Sequence, residues 1–289
     1  MNKSVTRFAT LVMGGVFLVT VACGGSNVAR SADSADTSVS GKTVMPPAKE
    51  NARALSDQKT PAMQALIEAY PDFIKDIKDN KVIFTDGSTM VYDDGRDKDF
   101  VTRLDNSDVE DMFFTAYRSG VQPEYLSDAG RSRCEALFKK MYGGSSAQVQ
   151  RKLVNVSWFG KNIKFTSVNG AAEQLKKVAA EIARKPELKK YVDCSGTFYW
   201  RQVRGAKRLS AHSYGIAIDI GVKNSDYWLW KNPKAGETAR IKYVNRMPRE
   251  LVEIFERHGF VWGGGWYHYD TMHFEYRPEI IGYGRRAKK

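Results

Sequence analysis

"SAHSYGIAIDI", residues 210–220, decides how this chain reads. Ile216, Ile218 and Ile220 alternate with Ala217 and Asp219, the period of two that a half-buried strand requires. One face would bury three isoleucines while the other turns a carboxylate outward beside a small neighbour. Gly215 permits a backbone conformation, or a close approach, that a side chain would forbid, which lets the preceding loop fold His212 back toward Asp219. The chain has only 4 histidines in 289 residues. One of them is therefore placed where it can share a cation with an acid.

A catalytic zinc site needs three protein ligands and one open position. The third is sought in "WYHYDTMHFEY", residues 266–276, which offers His273, with Asp270 and His268 just before it. If Phe274 and Tyr276 bury one face of a strand, His273 and Glu275 point to the other. His212, Asp219 and His273 then supply two imidazoles and a carboxylate, a donor set suited to zinc.

The pattern S-x-H-x-x-G-x-A-x-D, followed by D-x-x-H-F-E, resembles the zinc peptidases of the lysostaphin, D-Ala-D-Ala metallopeptidase and hedgehog superfamily. Within it the chain is most similar to the VanY-like D-Ala-D-Ala carboxypeptidases and to phage L-Ala-D-Glu endolysins. The resemblance covers about residues 154–276. It implies one zinc ion held by His212, Asp219 and His273, with Asp270 as catalytic base where many relatives carry Glu. It also implies an arginine ahead of the first motif, to hold substrate or offset oxyanion charge. Arg201 matches best, and Arg204 and Arg208 compete with it. Ser210 bonds either the loop or the substrate, and no Ser-His-Asp arrangement is indicated. His268 orients the water, lines the pocket or sits on an exposed loop. Trp266, with Trp228, Trp230 and Trp262, either stacks on sugar rings or packs the core. The expected fold is α+β: a small antiparallel sheet carrying the zinc site, flanked by helices, hedgehog/D-Ala-D-Ala peptidase-like. The implied function is hydrolysis of peptidoglycan stem peptides, foremost as a D-alanyl-D-alanine-type carboxypeptidase. The alternatives are an L-Ala-D-Glu endopeptidase and a non-catalytic wall-binding module that keeps the metal.

The N-terminal residues agree with that substrate. "MNKSVTRFATLVMGGVFLVTVAC" sets Lys3 and Arg7 before an apolar run that ends in small residues at Cys23. Residues 1–22 thus read as an export signal and resemble a lipoprotein signal, with Cys23 as the lipidated residue; cleavage and release is the alternative. Residues 23–58 are polar and Ser/Ala/Asp-rich, a tether without a hydrophobic period. The expected address is the cell envelope, held to the membrane by the lipid. The net charge of +12 suits an anionic partner, and export points to the wall rather than to nucleic acid.

Residues 59–144 read as a helix and hairpin region of unknown role, and 145–289 as the peptidase domain. Met63, Leu66, Ile67 and Tyr70 recur at helical spacing, and residues 82–92 read as two strands around Asp86-Gly87. The acids between Tyr92 and Asp111 lack the order of a calcium loop and read as turns and helix caps. Residues 155–170 read as strand, turn, strand. Leu175, Val178, Ala179 and Ile182 share one helix face, and a further helix runs from Pro248 to His258, a packed or capping histidine, stopped by Gly259. Cys134 and Cys194 are either a disulfide or two buried thiols.

Overall fold

Stretches of period two become strands, and those of period 3.6 become helices, in a computed structural model that describes residues 58–287. The export signal, Cys23 and nearly all of the tether lie outside the described residues. Helix α1 (Pro61–Ala69) is capped by Thr60, whose hydroxyl accepts from Met63 N, and leads into strands β1 (Ile74–Lys78), β2 (Lys81–Phe84) and β3 (Thr89–Val91). These form a three-stranded antiparallel sheet; β2 and β3 are the expected hairpin, and β1 adds an edge. Helices α2 (Phe100–Asp105), α3 (Glu135–Tyr142) and α4 (Ser146–Gln150) precede the hairpin β4 (Leu153–Trp158) and β5 (Lys161–Thr166). Helix α5 (Ala171–Ala183) follows, burying Leu175, Val178 and Ile182.

The last third holds β6 (Cys194–Gly196), β7 (Ala217–Ile220), α6 (Trp228–Lys231), α7 (Arg249–Arg257), β8 (Phe260–Trp262), β9 (His273–Tyr276) and α8 (Pro278–Arg286). Its four strands make one antiparallel sheet in the order β6-β7-β9-β8. The class is α+β, as the resemblance implied. Ile216, Ile218, Ile220 and Phe274 are fully buried, and Phe255 of α7 stacks on Phe274 with ring centroids 3.9 Å apart. A Phe of this kind contributes about 3–5 kcal/mol relative to Ala. His258 ends α7, its Nε2 lying 2.6 Å from Glu181 of α5, so it is the packed cap the sequence suggested.

Residues on both sides of position 144 share one apolar core: Leu66, Tyr70, Leu137 and Phe138 pack in the same cluster as Leu175, Ile218 and Phe255. The acids of residues 92–111 are turn and cap residues, as expected. Asp99 caps α2, and the buried Lys98 ammonium lies 3.0 Å from Asp94, 3.0 Å from Asp108 and 2.5 Å from Asp111. The disulfide alternative is corrected: Cys134 is packed in the core at the start of α3, Cys194 stands half-buried on β6, and both are free thiols. Among the described residues no helix is long and apolar enough to cross a membrane.

Gly215 closes the turn that carries His212, with φ 66° and ψ 24° in the left-handed region, and a Cβ there would stand 2.5 Å from Leu153 Cδ2. Gly215→Ala should therefore cost about 2 kcal/mol of stability, read by denaturant unfolding, with the loss concentrated at this turn.

Candidate metal centre

The strand register brings the first two ligands together. Asp219 on β7 pairs directly with His273 on β9, and Ala217 pairs with Glu275. In an antiparallel ladder, opposed residues point to the same face, so Asp219, His273 and Glu275 share one side while Ile218 and Phe274 take the core side. The methyl group of Ala217 leaves room for the longer Glu275. His212 arrives from the turn Ala211–Tyr214, where the Ser210 hydroxyl accepts from His212 N at 3.4 Å.

The three donors converge. His212 Nε2 lies 3.2 Å from Asp219 Oδ2, His273 Nδ1 lies 3.0 Å from Asp219 Oδ1, and one ligand atom from each residue falls within 4.8 Å of the others. The edge of a tetrahedron of zinc–nitrogen and zinc–oxygen bonds is about 3.3 Å, so two of these separations already match such an ion. The hydrogens agree as well. Thr197 O can only accept, so His212 Nδ1, 2.5 Å away, carries the proton and Nε2 presents its lone pair. Glu275 Oε2 accepts from His273 Nε2 at 3.2 Å, which turns the Nδ1 lone pair toward Asp219. The residues thus fit a metal. Burial alone would lower the His273 imidazole, but hydrogen bonds to Asp219 and Glu275 raise it to about 10; a bound cation would replace that proton. Against desolvation, the two imidazoles hold Asp219 well below the usual carboxylate range.

Glu275 is itself fully buried and held at about 2: burial pushes it up, and Arg133, His273 and Arg277 pull it down further. Arg277 Nη1 donates to Glu275 Oε1 at 2.9 Å, its Nε binds Glu279, and Tyr70 of the N-terminal segment donates to Glu279 at 2.8 Å.

Asp270 stands beside the three donors, pinned by its backbone: its N–H donates to Gly263 O, and its carbonyl accepts from His273 N. Its Oδ1 is buried and has no hydrogen-bond partner. Burial, and then Asp219, push the carboxyl up to about 7 against the pull of His273. All four residues line a cavity of about 470 Å³.

The remaining expected residues separate. Arg201 and Arg204 are exposed at the cavity, whereas Arg208 is buried against Asp105 and Glu237 and serves as an ion-paired strut. Ser210 is buried and bonds its own loop. His268 is not on an exposed loop: it is buried in the wall, Nδ1 2.6 Å from Asp128 Oδ2, while Nε2 makes no hydrogen bond and lies 3.8 Å from Glu237 Oε2. Trp266 donates from Nε1 to Ala129 O at 2.6 Å and lays its ring 5.5 Å from His273, so it is packed wall, as are Trp228 and Trp262 in their surroundings. Trp230 alone of these four is exposed, at the cavity edge. Sequence reading missed Asp128, Arg131 and Arg133, which reach this site from a stretch without period or motif.

Residues 204–276 match the family model described as D-alanyl-D-alanine carboxypeptidase. The matched segment holds all three donors and Asp270, and it supports the VanY-like resemblance drawn from the motifs. It supports a peptidase, with peptidoglycan as its class of substrate. No curated protein and no solved structure matches the chain.

Asp128 provides an acid-sensitive point in this wall. Burial raises its carboxyl, but Arg131 and then His268 hold it at about 2. Because the folded value lies below the ordinary one, its stabilisation is present above about pH 4 and lost as pH falls toward 2, about 2 kcal/mol in all. The stability gap between the parent and Asp128→Asn, from urea unfolding at stepped pH, should shrink over that window.

Proposed function

We propose that this chain is a zinc-dependent D-alanyl-D-alanine-type carboxypeptidase acting on peptidoglycan stem peptides in the cell envelope. The observation that carries the reading is an unpartnered buried carboxylate oxygen, Asp270 Oδ1, beside three convergent ligand groups whose two imidazoles are each held from behind, by Thr197 O and by Glu275. A zinc ion held by His212 Nε2, Asp219 and His273 Nδ1 would supply Lewis acidity, polarising the scissile carbonyl and acidifying a water. Asp270 Oδ1 takes the proton of the attacking water and passes it to the departing amine. Thr197 and Glu275 keep the two imidazoles from rotating out of place. Arg201, exposed at the mouth, meets negative charge on the peptide or on the oxygen where it develops. An exported, lipid-anchored chain of this net charge would meet an anionic wall, which supports that location.

Digestion of purified muropeptides, followed by mass spectrometry, tests the reading. Loss of one terminal alanine is expected. Scission between L-Ala and D-Glu would make the chain an endopeptidase, and bound zinc with no peptide shortened across several wall types would make it a binding module. His273→Ala should lose zinc, by elemental analysis, together with turnover. Asp270→Ala should keep its zinc and lose about a hundredfold or more in kcat; turnover at the parent rate would remove Asp270 as the base.

A further inference from the structure

Five arginines line the cavity, and four are accounted for. Arg131 is bound bidentately to Glu237 at 2.9 Å and 2.9 Å and to Asp128 at 2.6 Å; Arg208 is paired with Asp105 and Glu237; Arg201 and Arg204 stand in solvent. Arg133 differs in its pairing. It is only 7% exposed and its Nε, like that of Arg208, is buried without a hydrogen-bond partner, but where Arg208 keeps a close ion pair with Asp105, the contacts of Arg133, Gly130 O at 3.3 Å and Glu275 Oε2 at 3.4 Å, are both long. That same Glu275 oxygen accepts from His273, and the other one serves Arg277, so a single carboxylate is shared three ways. A buried guanidinium this poorly neutralised is costly unless something completes its pairing. Burial lowers it to about 10, with Arg277 and Arg208 adding to the fall against Glu275.

We propose that Arg133 is the anchor for the terminal carboxylate of the substrate peptide. It shares the cavity with His212, Asp219, Asp270 and His273, so a carboxylate on it lies in the chamber where the bond would be cut. A planar guanidinium suits a carboxylate, and in this dry setting the pair is stronger than at the exposed mouth. The assignment rests on the peptidase reading and narrows it: an enzyme with this anchor removes a C-terminal residue, while Arg201 remains free for charge elsewhere on the substrate. Arg133 lies outside the matched segment 204–276, in the part of the chain whose role the sequence left open.

The test uses metal-stripped protein and two probes, acetyl-D-alanine and its C-terminal amide, with binding followed by the fluorescence of the cavity tryptophans. The parent should prefer the free acid by about tenfold or more. Arg133→Gln should remove the preference, Arg133→Lys should keep part of it, and Arg201→Ala should leave it in place. Where circular dichroism shows Arg133→Gln unfolded, Arg133→Lys decides: a preference equal to the parent's overturns the assignment. Equal binding of acid and amide by the parent overturns it too, as does loss of the preference in Arg201→Ala but not in the Arg133 variants. With zinc restored, Arg133→Lys should raise KM for free-acid peptides and leave kcat/KM for amidated ones nearly unchanged. An equal fall in kcat for both would make Arg133 only a support for Glu275. A parent that prefers the acid yet cleaves nothing would refute the peptidase and keep the anion site, whereas one that cleaves acid and amide alike would do the reverse.

Discussion

His273 stands between two carboxylates, and much of the surrounding structure makes that arrangement tolerable. Glu275 beyond it is wholly buried, and a bare carboxylate there would cost several kcal/mol. The cost is met by relay. Glu275 meets Arg277, Arg277 meets Glu279, and Glu279 takes the hydroxyl of Tyr70, so charge alternates from the candidate metal centre to the residue that caps the end of α1. Such a chain is worth most when every member is satisfied, because losing one partner leaves a buried charge behind. The N-terminal segment is therefore part of the site: it supplies Tyr70, the Gly130 carbonyl that binds Arg277, and the ring of Phe138 beneath that guanidinium.

The sequence made the inner geometry legible and hid the outer. Ile216, Ile218 and Ile220 could be read because a strand with one dry face must alternate, and that alternation fixed which way Asp219 points. The same rule put His273 and Glu275 on one face, and the register then made Asp219 and His273 a cross-strand pair. No comparable rule reaches Arg131 or Arg133. They sit in irregular backbone, and apart from Asp128, three positions before Arg131, the acids that meet them are more than a hundred positions away, Glu237 and Glu275. His268 was ambiguous for the same reason. Its burial depends on Asp128, 140 residues earlier, and a single imidazole in a glycine- and tyrosine-rich stretch carries no sign of that partner.

Composition was misleading about where the positive charge acts. A net +12 reads as a surface property, yet Arg131, Arg133 and Arg208 are buried in the cavity wall and Arg277 is buried behind it on Glu275. Their effect depends on what neutralises each one. Arg131 and Arg208 are spent on Glu237 and its neighbours, so they stiffen the wall without giving the chamber a strong field. Arg277 is spent on Glu275 and Glu279. This matters for Asp270, whose raised carboxyl needs a site dominated by desolvation and Asp219, and which a freely positive wall would pull back down.

The order of construction also follows. The bonds that aim His212 and His273 run to Thr197 O and Glu275, groups fixed by the sheet and by the buried charge relay, and the sheet is held by an apolar core running from Leu66 to Ile281. A cation added to such a site finds both imidazoles already aimed. The extended apolar core sets this chain apart from small domains in which the metal replaces a missing core. What the ion must displace is the extra proton that Asp219 and Glu275 favour on His273, so the price of loading is electrostatic rather than conformational.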